Sequence, residues 1–141
     1  MKADDEKAVE SVSRMLEKDF FSQWLGVTII EIKAGYSKIK MKMRREMLNG
    51  FGIAHGGIAF AFADSAFAFA CNSDGRTTLA LDANISFTKA VKENDVLTAE
   101  ARQVNKTSRT GVYLVEVKNE SGQLVALFKG ICYTPANNDY K

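Results

Sequence analysis

Between His55 and Asp74 the chain carries a single charged side chain, Asp64. Around it Ile58, Phe60, Phe62, Phe67 and Phe69 are separated mostly by alanine, so a helix built from this segment has no polar face. A helix that is apolar all round has to be surrounded by protein. The apolar run over residues 56–70 is shorter than the roughly 20 residues of a membrane-spanning helix, and Asp64 interrupts it. No membrane association is expected. The segment reads as a buried central helix over about residues 56–73, and the rest of the chain has to supply its wrapping.

The remaining segments suit that task. Val9, Val12, Leu16 and Phe20 recur at helical spacing, with Asp4, Asp5 and Glu6 at the start where the helix dipole favours acids. This predicts an N-terminal helix over residues 5–19, within residues 1–20. The period then switches to two. Residues 27–33 read as a strand, and Ile39, Met41 and Met43 alternate with Lys38, Lys40 and Lys42 in the next. Beyond Asp74-Gly75, Leu79, Leu81, Ala83, Ile85 and Phe87 alternate with Ala80, Asp82, Asn84 and Ser86, and residues 96–104, 112–118 and 123–133 form three further strands. Four successive strands on short links imply antiparallel pairing. The expected class is α+β: one domain over residues 1–141, with a curved antiparallel β-sheet wrapped around a long central helix.

Composition removes several functions. A net charge of +2 over 141 residues lacks the footprint of a nucleic-acid binder. Cys71 and Cys132 lie far apart in apolar stretches and read as buried free thiols, with a disulfide as the alternative. The first residues are charged, without an apolar signal core, so a cytoplasmic location is expected. One histidine and no paired cysteines argue against zinc or another metal site. The glycines at 50, 52 and 56 lack a phosphate-loop Lys-Ser/Thr, and no nucleophile-elbow sequence supports a Ser-His-Asp triad.

What remains is a cluster at the start of the apolar helix. Burying a carboxylate without a partner is costly, so Asp64 is either a functional group in a cleft or a structural one bonded to backbone or at a subunit interface. Gly56-Gly57 falls where the helix begins. The first N–H groups there lack intrahelical partners and carry the positive end of the dipole. Glycine permits close approach of a ligand, and such a site suits a developing oxyanion; a tight loop-to-helix turn is the plainer alternative. His55 either caps the helix or works beside that site. Asn49 either makes a turn or orients water or substrate.

Taken together, Asn49, His55-Gly56-Gly57, Ala63-Asp64, the Ala70-Cys71-Asn72-Ser73 helix end and the strand over residues 84–89 resemble the phenylacetic-acid-degradation (PaaI-type) acyl-CoA thioesterases of the hotdog superfamily. The resemblance covers roughly residues 20–135. It implies the hotdog fold, in which the sheet is the bun and the central helix the filling. It also implies that the Gly56 N–H polarises a thioester carbonyl, that Asp64 is base or nucleophile, and that Asn49 and His55 line the site. Some relatives place a Ser or Thr on the strand after the helix. Ala80 stands there, with Thr77 and Thr78 as the available substitutes.

The expected reaction is acyl-CoA plus water to carboxylic acid plus CoA. CoA is then part of the substrate, and no cofactor is expected. Gly57, Lys89, Lys92, Lys106 and Arg109 are candidate substrate contacts, the basic ones for phosphates. Phe51, Phe60 and Phe62 suit an aryl or medium-chain acyl group, or else belong to the core. A hydroxyacyl-thioester dehydratase using His55 with Asp64, and a non-catalytic acyl-CoA-binding module, are the alternatives. Gly56 and Asp64 are eight residues apart, about 12 Å along a helix, whereas reacting groups must approach within roughly 3–3.5 Å. If both act on one carbonyl, one must come from a second chain. A homodimer with antiparallel helices and shared sites is therefore expected, and the resemblance extends this to a homotetramer.

Overall fold

The computed structural model describes residues 2–136. Two helices come first, α1 (Ala3–Lys18) and α2 (Phe20–Leu25), followed by strands β1 (Thr28–Lys33) and β2 (Tyr36–Lys42). A 3-10 turn at Arg45–Met47 leads toward helix α3 (Gly56–Cys71), and strands β3 (Leu79–Phe87), β4 (Val96–Lys106), β5 (Thr110–Lys118) and β6 (Leu124–Tyr133) complete the chain. The strands form one six-stranded antiparallel sheet in the order β1-β2-β4-β5-β6-β3. The antiparallel expectation holds, but successive strands are not all neighbours. β3 pairs with β6 at the far edge, so residues 88–95 carry the chain from one side of the sheet to β4.

The sheet packs one face on α3. From β2 come Ile39 and Met41, from β4 Leu97, Ala99 and Ala101, from β5 Val115 and Val117, all buried. The alternation with Lys38, Lys40 and Lys42 is thus realised as a half-buried strand. Small residues opposite α3 make room for its rings. Phe67 lies between Tyr113 and Phe128, each 5.7 Å away between ring centroids. Gly130 faces the same ring, and a Cβ there would sit 2.7 Å from Phe67 Cζ. A polar tie adds direction to the apolar contact: buried Ser37 donates its hydroxyl to the Ala66 carbonyl at 2.6 Å.

The N-terminal helix departs from the expected outline. It stops at Lys18, because Asp19 adopts φ −89°, ψ 77° and caps a second helix instead. Its carboxylate accepts the Ser22 N–H at 3.0 Å, satisfying one of the first free N–H groups of α2. The chain therefore turns before Phe20, which is 73% exposed rather than part of the α1 stripe. Ala8 and Val12 form the buried stripe, and Val9 lies largely outside it. The alternating residues of β3 also differ from expectation. A bulge between Ala80 and Asp82 shifts the register, and Leu79, Leu81 and Phe87 stay exposed. Both cysteines are free thiols and buried.

The close approach of Gly130 to Phe67 yields a test. Gly130→Ala should destabilise the fold by about 1–3 kcal/mol through overpacking of a ring that has no room to turn aside, read by chemical denaturation. Wild-type stability in that variant would contradict the packing.

Candidate active site

The loop before α3 is held by its own backbone. His55 N–H donates to the Met47 carbonyl at 2.9 Å and Ala54 N–H to the Val91 carbonyl at 2.7 Å. Asn49 closes the turn between them. Its Oδ1 accepts the N–H of Phe51 at 2.9 Å and of Ile53 at 3.4 Å, while Gly52 takes φ +77°, a conformation glycine adopts without steric cost. Of the two roles open to Asn49, the turn is the one visible in its contacts.

His55 is the N-cap of α3, and its Nδ1 accepts the Gly57 N–H at 2.9 Å. The ring is therefore unprotonated on Nδ1. Gly57 has its donor committed to this bond. The Gly56 N–H, by contrast, has no hydrogen-bond acceptor among the described residues. It stands at the positive end of the α3 dipole, beside a groove of about 410 Å³ whose walls include Ile53, Ala59, Phe87, Lys89, Val91 and Val125. The Phe87 ring rests on Gly56: a Cβ at that glycine would lie 3.1 Å from Phe87 Cζ.

Two turns further on, Asp64 is half-buried and its carboxylate has no hydrogen-bond partner among the described residues. Burial first, and the negative charge of Asp19 second, push its carboxyl above the ordinary range. It stands on a particular face of α3. Gly57, Ala61, Asp64 and Ala68, spaced three and four apart, are half-open or exposed and fall on one face of the helix. Gly56 and Asp64 keep their eight-residue separation within one continuous helix.

The other candidates divide by position. Lys89 belongs to the groove at the Gly56 end, and Lys92 is exposed on the neighbouring loop. Lys106 lies near the opposite end of α3, in an ion pair with Asp74 at 2.9 Å. Arg109 is on the same side, lining a pocket with Arg76, Ser108 and Thr134. One chain does not gather these cations. The Thr78 hydroxyl is spent on Thr134 at 2.7 Å and lies buried, and Ala80 brings no hydroxyl to β3. Of the aromatic candidates, Phe62 is core, Phe60 packs on Phe128 with centroids 5.4 Å apart, and Phe51 is 91% exposed. The ring at the groove is Phe87, one of the alternating apolar residues of β3 and not among the aromatic candidates. Sequence reading also passed over Asp19, whose signal was an acid at the end of a helical pattern, and Ser65, the hydroxyl beside Asp64.

A single helix enclosed by a curved antiparallel sheet, with an open N–H at the helix start, defines the hotdog thioesterase fold. A family model described as the thioesterase superfamily matches residues 51–126, and the chain belongs to that superfamily. It is 39% identical to the acyl-coenzyme A thioesterase PaaI of Escherichia coli K12 over 124 residues, covering 88% of this chain and 89% of that one. The solved structure of the E. coli PaaI protein superposes with a TM-score of 0.92, covering 94% of this chain and 96% of the other at 36% identity. A hypothetical thioesterase of Streptococcus pneumoniae TIGR4, solved with coenzyme A, matches at TM-score 0.75 and 28% identity, covering 77% and 85% of the two chains. The protein is a thioester hydrolase. Among the described residues no helix is long and apolar enough to cross a membrane.

The state of Asp64 gives a stability prediction. A carboxyl whose folded pKa is raised destabilises the fold above that pKa, where burial keeps the charge from water, and costs nothing below its unfolded pKa, where both states are protonated. Asp64→Asn should therefore raise the melting temperature at neutral pH, with the gain fading as the pH falls through the carboxylate range. A variant less stable than wild type at pH 7 would show that Asp64 is a structural anchor.

Proposed function

We propose that the protein hydrolyses an acyl-CoA thioester, with the Gly56 N–H receiving the carbonyl oxygen and Asp64 acting as base or nucleophile. The observation that carries this reading is a pair of unspent groups on one helix. Among the described residues the Gly56 N–H and the Asp64 carboxylate have no partner, whereas the Gly57 N–H, His55 Nδ1, Asn49 Oδ1 and the Thr78 hydroxyl have theirs. A fixed backbone donor aimed at developing negative charge typically contributes 10²–10³ in rate. A positioned base contributes about 10²–10⁴. His55 supports the site by holding the first turn of α3 through Gly57, and Asn49 by closing the loop that leads into it. The acyl group, aryl or medium-chain, lies in the groove against Phe87. No cofactor takes part.

The active unit is a homodimer. Two features of the single chain support this: an edge strand β3 with exposed Leu79, Leu81 and Phe87, and the half-open Gly57-Ala61-Asp64-Ala68 face of α3. An unpaired apolar edge is a template for a second strand. Antiparallel pairing of two β3 strands sets the two α3 helices antiparallel, bringing Asp64 of one copy toward Gly56 of the other. The same two-fold carries Lys106 and Arg109 of the second copy to the Lys89 side of the first, where together they meet the CoA phosphates. On the outer sheet face, Leu114 and Leu127 remain 40% and 39% exposed and offer a patch on which two dimers join as a homotetramer. The setting is cytoplasmic, where acyl-CoA is available.

Kinetics separate the roles. In a screen over aryl, short, medium and long acyl-CoAs, free CoA should be released. Asp64→Ala should lose 10²–10⁴ in kcat, and His55→Ala and Asn49→Ala should lose less. A His55 defect as deep as that of Asp64, with enoyl product from hydroxyacyl-CoA, would favour the dehydratase; tight binding without turnover would favour the binding module.

Subunit sharing is testable by mixing. Asp64→Ala and Gly56→Pro should each be inactive as homodimers. Proline is tolerated at the first helical position and removes the N–H; its ring also presses on Phe87, so the variant's fold is checked by circular dichroism before mixing. After dissociation and reassociation, each heterodimer should regain one intact site and about half the wild-type activity. Folded, confirmed heterodimers without activity would place both groups in one chain.

A further inference from the structure

A chain of hydrogen bonds runs to the residue beside Asp64 from the break between α1 and α2. Asp19 Oδ1 accepts the Ser22 N–H at 3.0 Å, and its Oδ2 accepts the Ser22 hydroxyl at 2.6 Å. The Ser22 Oγ lies 2.8 Å from Ser65 Oγ. A serine has one hydroxyl proton, and Asp19 takes that of Ser22. The proton between the serines therefore belongs to Ser65. The chain is directional: Ser65 donates to Ser22, and Ser22 donates to Asp19. Both serines are buried, at 7% and 1% exposure.

Neither packing nor capping calls for this arrangement. Contact between α2 and α3 could be made by apolar side chains, as in most of the packing around α3. Asparagine and serine cap a helix as well as aspartate does, so the cap does not require a charge. What an anionic Asp19 supplies is an acceptor that orders both hydroxyls, and a negative charge near Asp64.

We infer that Asp19 is a positioning residue for the active carboxylate: through Ser22 and Ser65 it fixes the rotation of α3 that presents Asp64, and it sets the charge that Asp64 meets. The inference rests on Asp64 acting as proposed above. Its value lies in the strength of the base, since a carboxylate of higher pKa is the stronger proton acceptor near neutral pH. Asp19 adds to burial in raising Asp64. Among the described residues, the other elements packed on α3 bring no second charge that shifts Asp64. The inward side chains of β2, β3 and β4 are apolar or serine. The titratable groups beyond them are Tyr113 on β5, pushed up by burial, and the Cys71–Cys132 thiol pair, in which Cys71 is pushed up by its bond to Cys132 and by burial.

The experiment is a pH profile of kcat and KM on the full chain, using an acyl-CoA that the wild type hydrolyses. Asp19→Asn keeps the cap but removes both the charge and the second acceptor for the Ser22 hydroxyl; Asp19→Ser does the same with a different side chain and guards against a folding effect, which thermal melts check. In both, the acid limb of kcat should move to lower pH with KM little changed, and Asp19→Glu should move it back. Ser65→Ala keeps the charge but cuts the chain, so it should leave the limb in place and lower plateau kcat roughly 2- to 10-fold, the worth of one hydrogen bond. Folded neutral variants whose acid limb coincides with that of the wild type overturn the electrostatic role. An unchanged plateau in Ser65→Ala overturns the positioning role. Activity surviving in Asp64→Asn is a different failure, because it removes the proposed function itself; loss there alongside wild-type profiles at Asp19 removes only this inference.

Discussion

Everything in this fold follows from the need to cover α3. A helix with rings and methyl groups on every side cannot face water, and at about 25 cal/mol per Å² of apolar surface its burial dominates the energetics of the domain. The sheet meets this need by packing Tyr113 and Phe128 against the rings of α3 and by leaving room for them at small residues. Gly130 against Phe67 is the sharpest case. Yet one chain covers the helix only in part. The Gly57-Ala61-Asp64-Ala68 face stays half-open, and the adjacent edge strand β3 keeps apolar side chains in solvent.

The same helix concentrates the chemistry. Protein interiors seldom leave polar groups unsatisfied, and in this loop and helix nearly every polar side chain is matched. His55 is bonded to Gly57, Asn49 to its own turn, Thr78 to Thr134, Ser37 to Ala66. Against that background the open Gly56 N–H and the unpartnered Asp64 stand apart. Their separation along one helix keeps them from acting on a single bond within a chain, which ties the chemistry to how the helix is covered. Asp19 then links the geometry to the electrostatics, because the carboxylate that caps α2 also acts on Asp64.

Much of this was legible in the sequence because it rests on local periodicity. The alternation at Ile39 and Met41, and the start of α3 at Gly56, need only near neighbours to be read. The misreadings share a different cause. Phe20 fitted the α1 stripe by spacing, but the Asp19 cap breaks the helix before it. Phe87 was legible only as part of an alternating strand, but β3 is an edge strand with a bulge, and its last ring lies on Gly56. Lys89, Lys106 and Arg109 looked alike as basic residues, and the fold puts them at opposite ends of α3.

By itself, then, the sequence determined the fold class, the central helix and the identity of the residues at its start, because a continuous apolar segment with one acid admits few environments and helical geometry sets the spacing of Gly56 and Asp64. Only the tertiary structure decided which of those residues are spent and which are free. Hydrogen-bond capacity depends on partners brought from far along the chain, and Ser65 finds Ser22 across 43 residues. Pairing of β3 with β6 rather than β4 was decided at the same level, since strand order follows from which faces must cover α3 and not from any local pattern.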